Sequence, residues 1–484
     1  MINVKAISIN VGKALLVSAF FMFVSLLISI AEEYDSAFTP LLISLIITTI
    51  VGAFPFIFVK NAPLLSLRDG FLTIILAWLL SFVFGMLPFV LWGGEFTLVN
   101  AWFESVSGYT TTGSTILNDI EALPKSLLFW RSSTHYIGGL GVVVFLLMVM
   151  PSASPYRVKL TNMELSSLSR EGYRYNSSKV VWVITSVYLG LTLTSTLALW
   201  ASGMSLFDAV NHAFSIAATG GFSTRNLSIG YYQSDLINFV AMIFMAVAAL
   251  HFGLIYAVFV TRSFKPLKNP VVLYYFSSIV VMTLIIAVSL MTEGSYTSWG
   301  KAFLDSSFNV VSYMTTTGFA ICDNASWPFI AGMILMLAGI QCGCSGSTTG
   351  GLKVDRVLVA FKAIGNEVRH RIHPSSVSQV KMGGHYLPDS TVSSVFMYIV
   401  VYVMVIFVSI IAVMMCGSEP VEAVSGVISS VGSVGPGLGD VASLDNYSMQ
   451  PVMSKVIFTI DMFLGRLEIF PVLIVLSFIF KSGR

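Results

Sequence analysis

The sequence predicts an all-α polytopic membrane protein, in which four copies of one helical hairpin unit are fused in tandem behind a separate two-helix hairpin. Three observations carry that expectation. The 484 residues are 56% hydrophobic and only 10% charged, with a mean hydropathy of +0.84, whereas soluble chains carry roughly 25% charged residues. Ten apolar runs, near 14–31, 41–59, 71–92, 125–150, 180–203, 236–261, 270–292, 327–342, 391–416 and 456–480, have the length to cross or nearly cross a bilayer. A ten-residue segment, 104–113, recurs at 212–221, at 309–318 and, more weakly, at 426–435. Its closing glycines Gly113, Gly221, Gly318 and Gly435 therefore stand 108, 97 and 117 residues apart, which is the signature of fused repeats.

Taken in order, the chain opens with Lys5 and Lys13 ahead of the run 14–31, a pattern shared with secretion signals. The run exceeds the roughly 7–15 apolar residues of a signal core, and a second run follows closely, so residues 1–67 read as an uncleaved hairpin. Four repeats then occupy 68–155, 156–265, 266–385 and 386–484. The decamers fall between runs 3 and 4, 5 and 6, 7 and 8, and 9 and 10. Each is too short to cross, so each reads as a re-entrant segment: a short helix, 104–109 in the first copy, returning as an extended stretch. Such backbone is tolerable at membrane depth only when buried in protein or lining a watery cavity.

The stretches expected to return extended are Thr110, Thr111, Thr112 and Gly113; Ala218, Thr219, Gly220 and Gly221; Thr315, Thr316, Thr317 and Gly318; and Gly432, Ser433, Val434 and Gly435. Glycine is needed where a carbonyl must turn inward at positive φ. One Thr-Gly run alone reads as an ordinary turn. Four in phase read as rings of carbonyls able to replace the water shell of a bare cation, aided by the negative C-terminal ends of the short helices.

Charge gives the orientation. The ends and the segments 60–70, 151–179, 262–268 and 353–389 hold 20 of 26 Lys/Arg and six of 24 Asp/Glu, against five basic and 16 acidic residues on the other side. By the positive-inside rule both termini lie in the cytoplasm and the re-entrant segments open outward. The outer carboxylates are ordinary solvated charges singly and concentrate cations collectively.

These four decamers resemble the bacterial TrkH/TrkG/KtrB superfamily of potassium-uptake channels and transporters, most closely its TrkH type. Phe222, Ser223 and Thr224, the run Gly343, Cys344, Ser345 and Gly346, and the late Gly465, Arg466, Leu467 and Glu468 add to the likeness. The resemblance covers roughly the whole chain. It implies potassium-channel-like membrane-pore-membrane repeats, K⁺ as the transported ion held by backbone carbonyls with no cofactor, and an inner-membrane location. It also implies a homodimer resting on a cytosolic TrkA-like nucleotide-binding protein; the basic segments 157–179 and 353–381 offer a docking face for it, which contact with polar lipids explains equally. Glycine at all four filter positions goes with potassium preference in that superfamily. The second and fourth repeats depart from Thr-Thr-Gly.

Three function classes are compatible with a chain of this kind: a potassium channel or channel-like transporter, a secondary K⁺ transporter or symporter coupled to H⁺ or Na⁺, and a membrane enzyme. An enzyme needs paired acid and base groups or metal ligands facing a cavity, and the intramembrane ionisable residues read as only Asp461, Arg466 and Glu468. The cysteines Cys322, Cys342, Cys344 and Cys416 lack zinc-type spacing and read as packing residues. His251 reads as bonded to a neighbouring helix, and His135 and His212 lack catalytic partners. Residues 346–353 have a phosphate loop's composition without its order.

Run eight breaks at 342–353, where Gly343, Gly346, Gly350 and Gly351 cannot hold a helix. This stretch is expected beneath the carbonyl rings as a gate. Arg466 is expected in the same layer, paired with the loop's carbonyls or with Asp461 and Glu468.

Overall fold

The computed structural model describes residues 3–59, 66–149, 177–375, 379–383 and 385–481. Two long apolar helices, Val4–Ala31 and Phe38–Phe58, form the leading hairpin. They approach closely because Gly12 and Gly52 face one another: a Cβ on Gly12 would lie 2.6 Å from Gly52 O. Small residues allow this contact where lipid gives no hydrophobic drive. Ser18 on the first helix shares a 2.8 Å hydrogen bond with Tyr109 Oη, docking the hairpin on the rest of the molecule.

The remaining helices form four similar groups, each holding a short helix between two longer segments. The short helices are Leu98–Tyr109, Leu206–Ala218, Trp299–Met314 and Pro420–Gly432. Thr97 and Ser205 cap the first two by accepting from the amides of Asn100 and Asp208, as N-cap hydroxyls do. The segment following each short helix packs on the short helix of the next group. Lys125–Val149 meets Leu206–Ala218, Asp235–Ala248 meets Trp299–Met314, and Phe329–Gln341 meets Pro420–Gly432. Val452–Arg466 then returns to Leu98–Tyr109. The groups therefore close on themselves in a ring.

Among the described residues, six helices are long and apolar enough to span a bilayer: Val4–Ala31, Phe38–Phe58, Arg68–Trp92, Val181–Ala201, Pro270–Thr292 and Asp389–Met415. Two spans expected to be single helices are broken instead. The run 236–261 bends by 100° between Asp235–Ala248 and Phe252–Thr261. The run 456–480 parts between Val452–Arg466 and Phe470–Lys481, where Glu468 and Ile469 take φ of 58° and 54°. His251 caps the second half of the bent span, its Nδ1 accepting from Gly253 N at 2.9 Å. The backbone freed by that bend is paired with the other break: Cys344 N donates to Ala249 O at 2.9 Å and Phe252 N to Gly346 O at 3.1 Å. Two interrupted segments thus satisfy each other, which makes both interruptions tolerable inside a membrane. The expected basic segment 157–176 lies outside the described residues.

Replacing Gly12 by Val should splay the hairpin and destabilise the protein by about 1–3 kcal/mol, the usual range for overpacking. Melting in detergent measures this, with a substitution at half-exposed Val17 as the neutral control.

Candidate functional site

The four short helices end in the same way. After Tyr109, Thr110 stays helical, Thr111 turns left-handed at φ 54°, and Gly113 follows at 86°. The equivalent pairs are Thr219 at 54° and Gly221 at 84°, Thr316 at 55° and Gly318 at 77°, and Ser433 at 55° and Gly435 at 104°. Each end is closed by two backbone bonds of the Schellman type. In the first, Thr111 N donates to Gly108 O and Thr112 N to Ser107 O. Gly220, Thr317 and Val434 repeat the longer bond to Ser215, Ser312 and Ser429. The expectation of a fully extended stretch is therefore corrected. Ala218 and Gly432 still belong to their helices, Thr110 and Thr315 cap theirs in the helical region, and only the last two residues of each stretch leave the turn.

The four glycines stand shoulder to shoulder with their neighbours. A Cβ on Gly113 would run into Gly220 O, one on Gly221 into Thr317 O, one on Gly318 into Val434 O, and one on Gly435 into Thr112 O. Each oxygen belongs to the residue just before the next turn's glycine, and the fourth contact returns to the first turn. A cavity of about 90 Å³ lies above them, with Gly113, Gly221, Gly318 and Gly435 all in its lining. Asp445 is on its rim, and burial, with Asp323 and Asp440 close by, holds that carboxyl above the usual carboxylate range.

On the opposite side of the turns lies the interrupted segment 342–353. Thr348 Oγ1 donates to Ala217 O at 3.1 Å, Thr219 Oγ1 to Thr348 Oγ1 at 3.3 Å, and Gly350 N to Thr316 Oγ1 at 3.2 Å. Gly350 also packs on Gly432 O and Ser433. The segment thus touches three of the four turns. Arg466 reaches it from the last group, donating to Thr348 O at 2.5 Å and to Gly138 O at 3.1 Å. Of the two partnerships open to Arg466, the carbonyls are the ones made. Asp461 instead accepts from Ser409 Oγ at 2.7 Å, and Glu468 pairs with Arg356 at 2.5 Å.

A family model described as "TrkH: Cation transport protein" matches residues 41–484. The chain belongs to the TrkH family. It is 33% identical over 423 residues to the Trk system potassium uptake protein TrkH of Salmonella typhimurium, covering 85% of this chain and 86% of that protein. It is 31% identical over 468 residues to the Trk system potassium uptake protein TrkI of Halomonas elongata, covering 96% and 94%. The crystal structure of the potassium transporter TrkH from Vibrio parahaemolyticus matches with a TM-score of 0.85 at 31% identity, over 98% of both chains. The likeness read from the decamers therefore holds, and TrkH-family membership gives the chain a transport role in a membrane.

Several features of this TrkH-family site escaped the sequence reading, among them the left-handed backbone of four residues it had named. The left-handed position carries a hydroxyl in every turn, Thr111, Thr219, Thr316 and Ser433, and six residues before each glycine stands a serine. Two of those serines, Ser215 and Ser312, donate to Phe222 O and Phe319 O at 2.7 and 2.6 Å. Aligning the decamers column by column finds both series. The intramembrane ionisable set is also larger than expected. Glu104 and Arg131, counted as outer-loop charges, form a fully buried pair 2.5 Å apart. Lys353, buried at the end of the interrupted segment with φ 75°, donates to Thr349 O.

Gly351 has φ 66°, and a Cβ there would strike Cys342 Sγ. Gly351→Ala should therefore loosen the segment and make the buried Cys342 reactive. Mass spectrometry after maleimide treatment of folded protein should find Cys342 modified in the variant and unmodified in the wild type.

Proposed function

We propose that this chain conducts K⁺ into the cell across the bacterial inner membrane, with the four turns as its selectivity filter and the segment 342–353 as its gate. The cyclic contact of each turn's glycine with the next turn's carbonyl supports this reading most directly. Four carbonyl-bearing turns of matching conformation around one axis can offer a dehydrated cation a cage of oxygens, as rings of backbone carbonyls do in potassium filters. The relatives' printed names, potassium uptake proteins and a potassium transporter, agree with that ion.

In this reading the ligands are the carbonyls of Thr110, Thr111, Thr112 and Gly113 and their counterparts in the other three repeats. The hydroxyls of Thr111, Thr219, Thr316 and Ser433 line the inner end. The repeats are 68–155, 156–265, 266–385 and 386–484. Their re-entrant segments open outward, and both termini are cytoplasmic by the charge asymmetry, which survives removal of the buried Glu104 and Arg131 from the count. Acidic groups at the mouth, Asp445 among them, raise the local cation concentration.

Gating follows from the layer below. Gly343, Gly346, Gly350 and Gly351 let the segment fold across the axis. Arg466 holds Thr348 O, adding a fixed positive charge where a passing ion must lose its own contacts, and so keeps the path closed. Lys353 does the same at Thr349 O. Val354–Ile372, which continues directly from the segment, exposes Phe361, Ile364, Val368 and Ile372 along one stripe. A homodimer mate or a cytosolic TrkA-like nucleotide-binding protein engaging that helix would pull on the gate.

Gly113→Ser is expected to admit Na⁺, because the added Cβ displaces Gly220 O. The measurement is competition between Rb⁺ and Na⁺ for uptake into proteoliposomes, and an unchanged ratio contradicts the filter assignment. Arg466→Ala should raise K⁺ flux severalfold with selectivity retained. Wild-type flux through a folded variant would place the gate elsewhere.

A further inference from the structure

The corner between the first and second turns is braced by ionic and aromatic contacts that the decamers give no reason to expect. Glu104 is fully buried nine residues before Gly113. Its Oε1 takes Arg131 Nε at 2.5 Å and Thr115 Oγ1 at 3.0 Å, and its Oε2 takes Ile116 N at 3.1 Å. The carboxylate therefore holds the chain just beyond Gly113. Arg131, also buried, donates from Nη1 to Ser223 O at 2.9 Å and lays its guanidinium 3.7 Å over the Phe222 ring.

One helical turn further on, His135 stacks on the other side of the same corner, its ring 4.0 Å from that of Phe222. Phe222 N donates to His135 Nε2 at 3.1 Å, which leaves Nδ1 as the protonated nitrogen. Nδ1 then donates to Gly108 O at 2.7 Å, at the end of the first short helix. A Cβ on Gly220 would collide with the His135 ring. The two neighbours in the Gly113 to Gly220 contact are thus held on both sides by one helix, Lys125–Val149.

The position of Glu104 carries no carboxylate in the other three decamers. The residue nine before each glycine is His212, Asn309 and Gly426 in turn. His212 Nε2 meets Ser223 Oγ at 2.9 Å, Asn309 contacts Cys322 Sγ at 3.4 Å, and at Gly426 the rings of Phe458 and Tyr447 fill the space. At the second corner Asp208 holds Thr224 and Arg225 just beyond Gly221 at 2.6 and 3.2 Å, but Arg225 is partly exposed whereas the Glu104 to Arg131 pair is fully buried, so the ring is not four-fold in stiffness.

We infer that Glu104, Arg131 and His135 are positioning residues that fix the Gly113 to Gly220 corner and thereby set how strongly the filter discriminates against Na⁺. This rests on the filter reading above. The carbonyls at the corner braced by a fully buried ion pair cannot close in on a smaller ion, whereas those at the other corners have more room to move. A displacement of about 1 Å at a positioned site changes rates by up to roughly a hundredfold, so partial release should act within that range.

The test is Rb⁺ against Na⁺ uptake by the full chain in proteoliposomes, for Glu104→Gln, Arg131→Lys and Thr115→Val, with melting in detergent recorded for each. Glu104→Gln should raise the Na⁺ to Rb⁺ ratio by roughly three- to tenfold, within the span that misplacement allows. Arg131→Lys, which keeps the charge and loses the planar fork, should fall between it and the wild type, and Thr115→Val should give a smaller rise. If Glu104→Gln does not fold, the other two decide. Wild-type ratios in folded Arg131→Lys and Thr115→Val, even with lowered melting temperatures, would overturn the inference and leave the pair a purely structural brace. Gly113→Ser in the same assay separates the two levels. If it shifts the ratio and the brace variants do not, only the brace is wrong, and if it too is silent, the filter reading fails.

Discussion

A carbonyl that leaves helical pairing at membrane depth has no water to turn to, and the architecture of this protein follows from that constraint. Each short helix closes its own end with Schellman bonds, which spend the amides nearest the turn on carbonyls one turn back. Beyond those bonds, each glycine lies so close to the carbonyl oxygen of the neighbouring turn that a Cβ would collide with it. Closure of the ring by Val452–Arg466 against Leu98–Tyr109 is what encloses those oxygens.

The same constraint explains why strain is retained. Thr111, Thr219, Thr316 and Ser433 occupy a left-handed conformation that costs a non-glycine residue about 1–2 kcal/mol, at positions where glycine would be free. The hydroxyl accounts for the choice at Thr219 and Thr316, whereas Thr111 Oγ1 and Ser433 Oγ make no hydrogen bond among the described residues. Thr316 accepts from Gly350 and Thr219 bonds Thr348, so the turns are wired directly to the segment beneath them.

The four matching turns were legible in the sequence because Gly113, Gly221, Gly318 and Gly435 combine positive φ with a neighbour too close for a Cβ, and no other residue supplies both. The interruption at 342–353 was legible for a similar reason, since four glycines and adjacent Ser and Thr residues cannot continue a helix. The bend after Ala248 was not. Ala249, Leu250 and His251 contain neither Pro nor Gly, and what breaks the helix is pairing with Cys344 and Gly346 from another repeat. The break at Glu468 and Ile469 was equally silent, being held by Arg356 from a distant helix. Glu104 and Arg131 were misread as surface charges because each looks uncompensated along the chain, and only the fold brings them within 2.5 Å. Non-local pairing is the common element in every feature that periodicity and composition missed.

The central claim is that the oxygens of Thr112, Gly220, Thr317 and Val434 and their neighbours surround a dehydrated cation. Anomalous diffraction from crystals grown in Rb⁺ or Tl⁺ tests it most directly. A peak on the axis between Gly113, Gly221, Gly318 and Gly435, weakened when K⁺ competes and persisting against equal Na⁺, is the expected result. Ordered ion density confined to the outer cavity, with none between the turns, would contradict it.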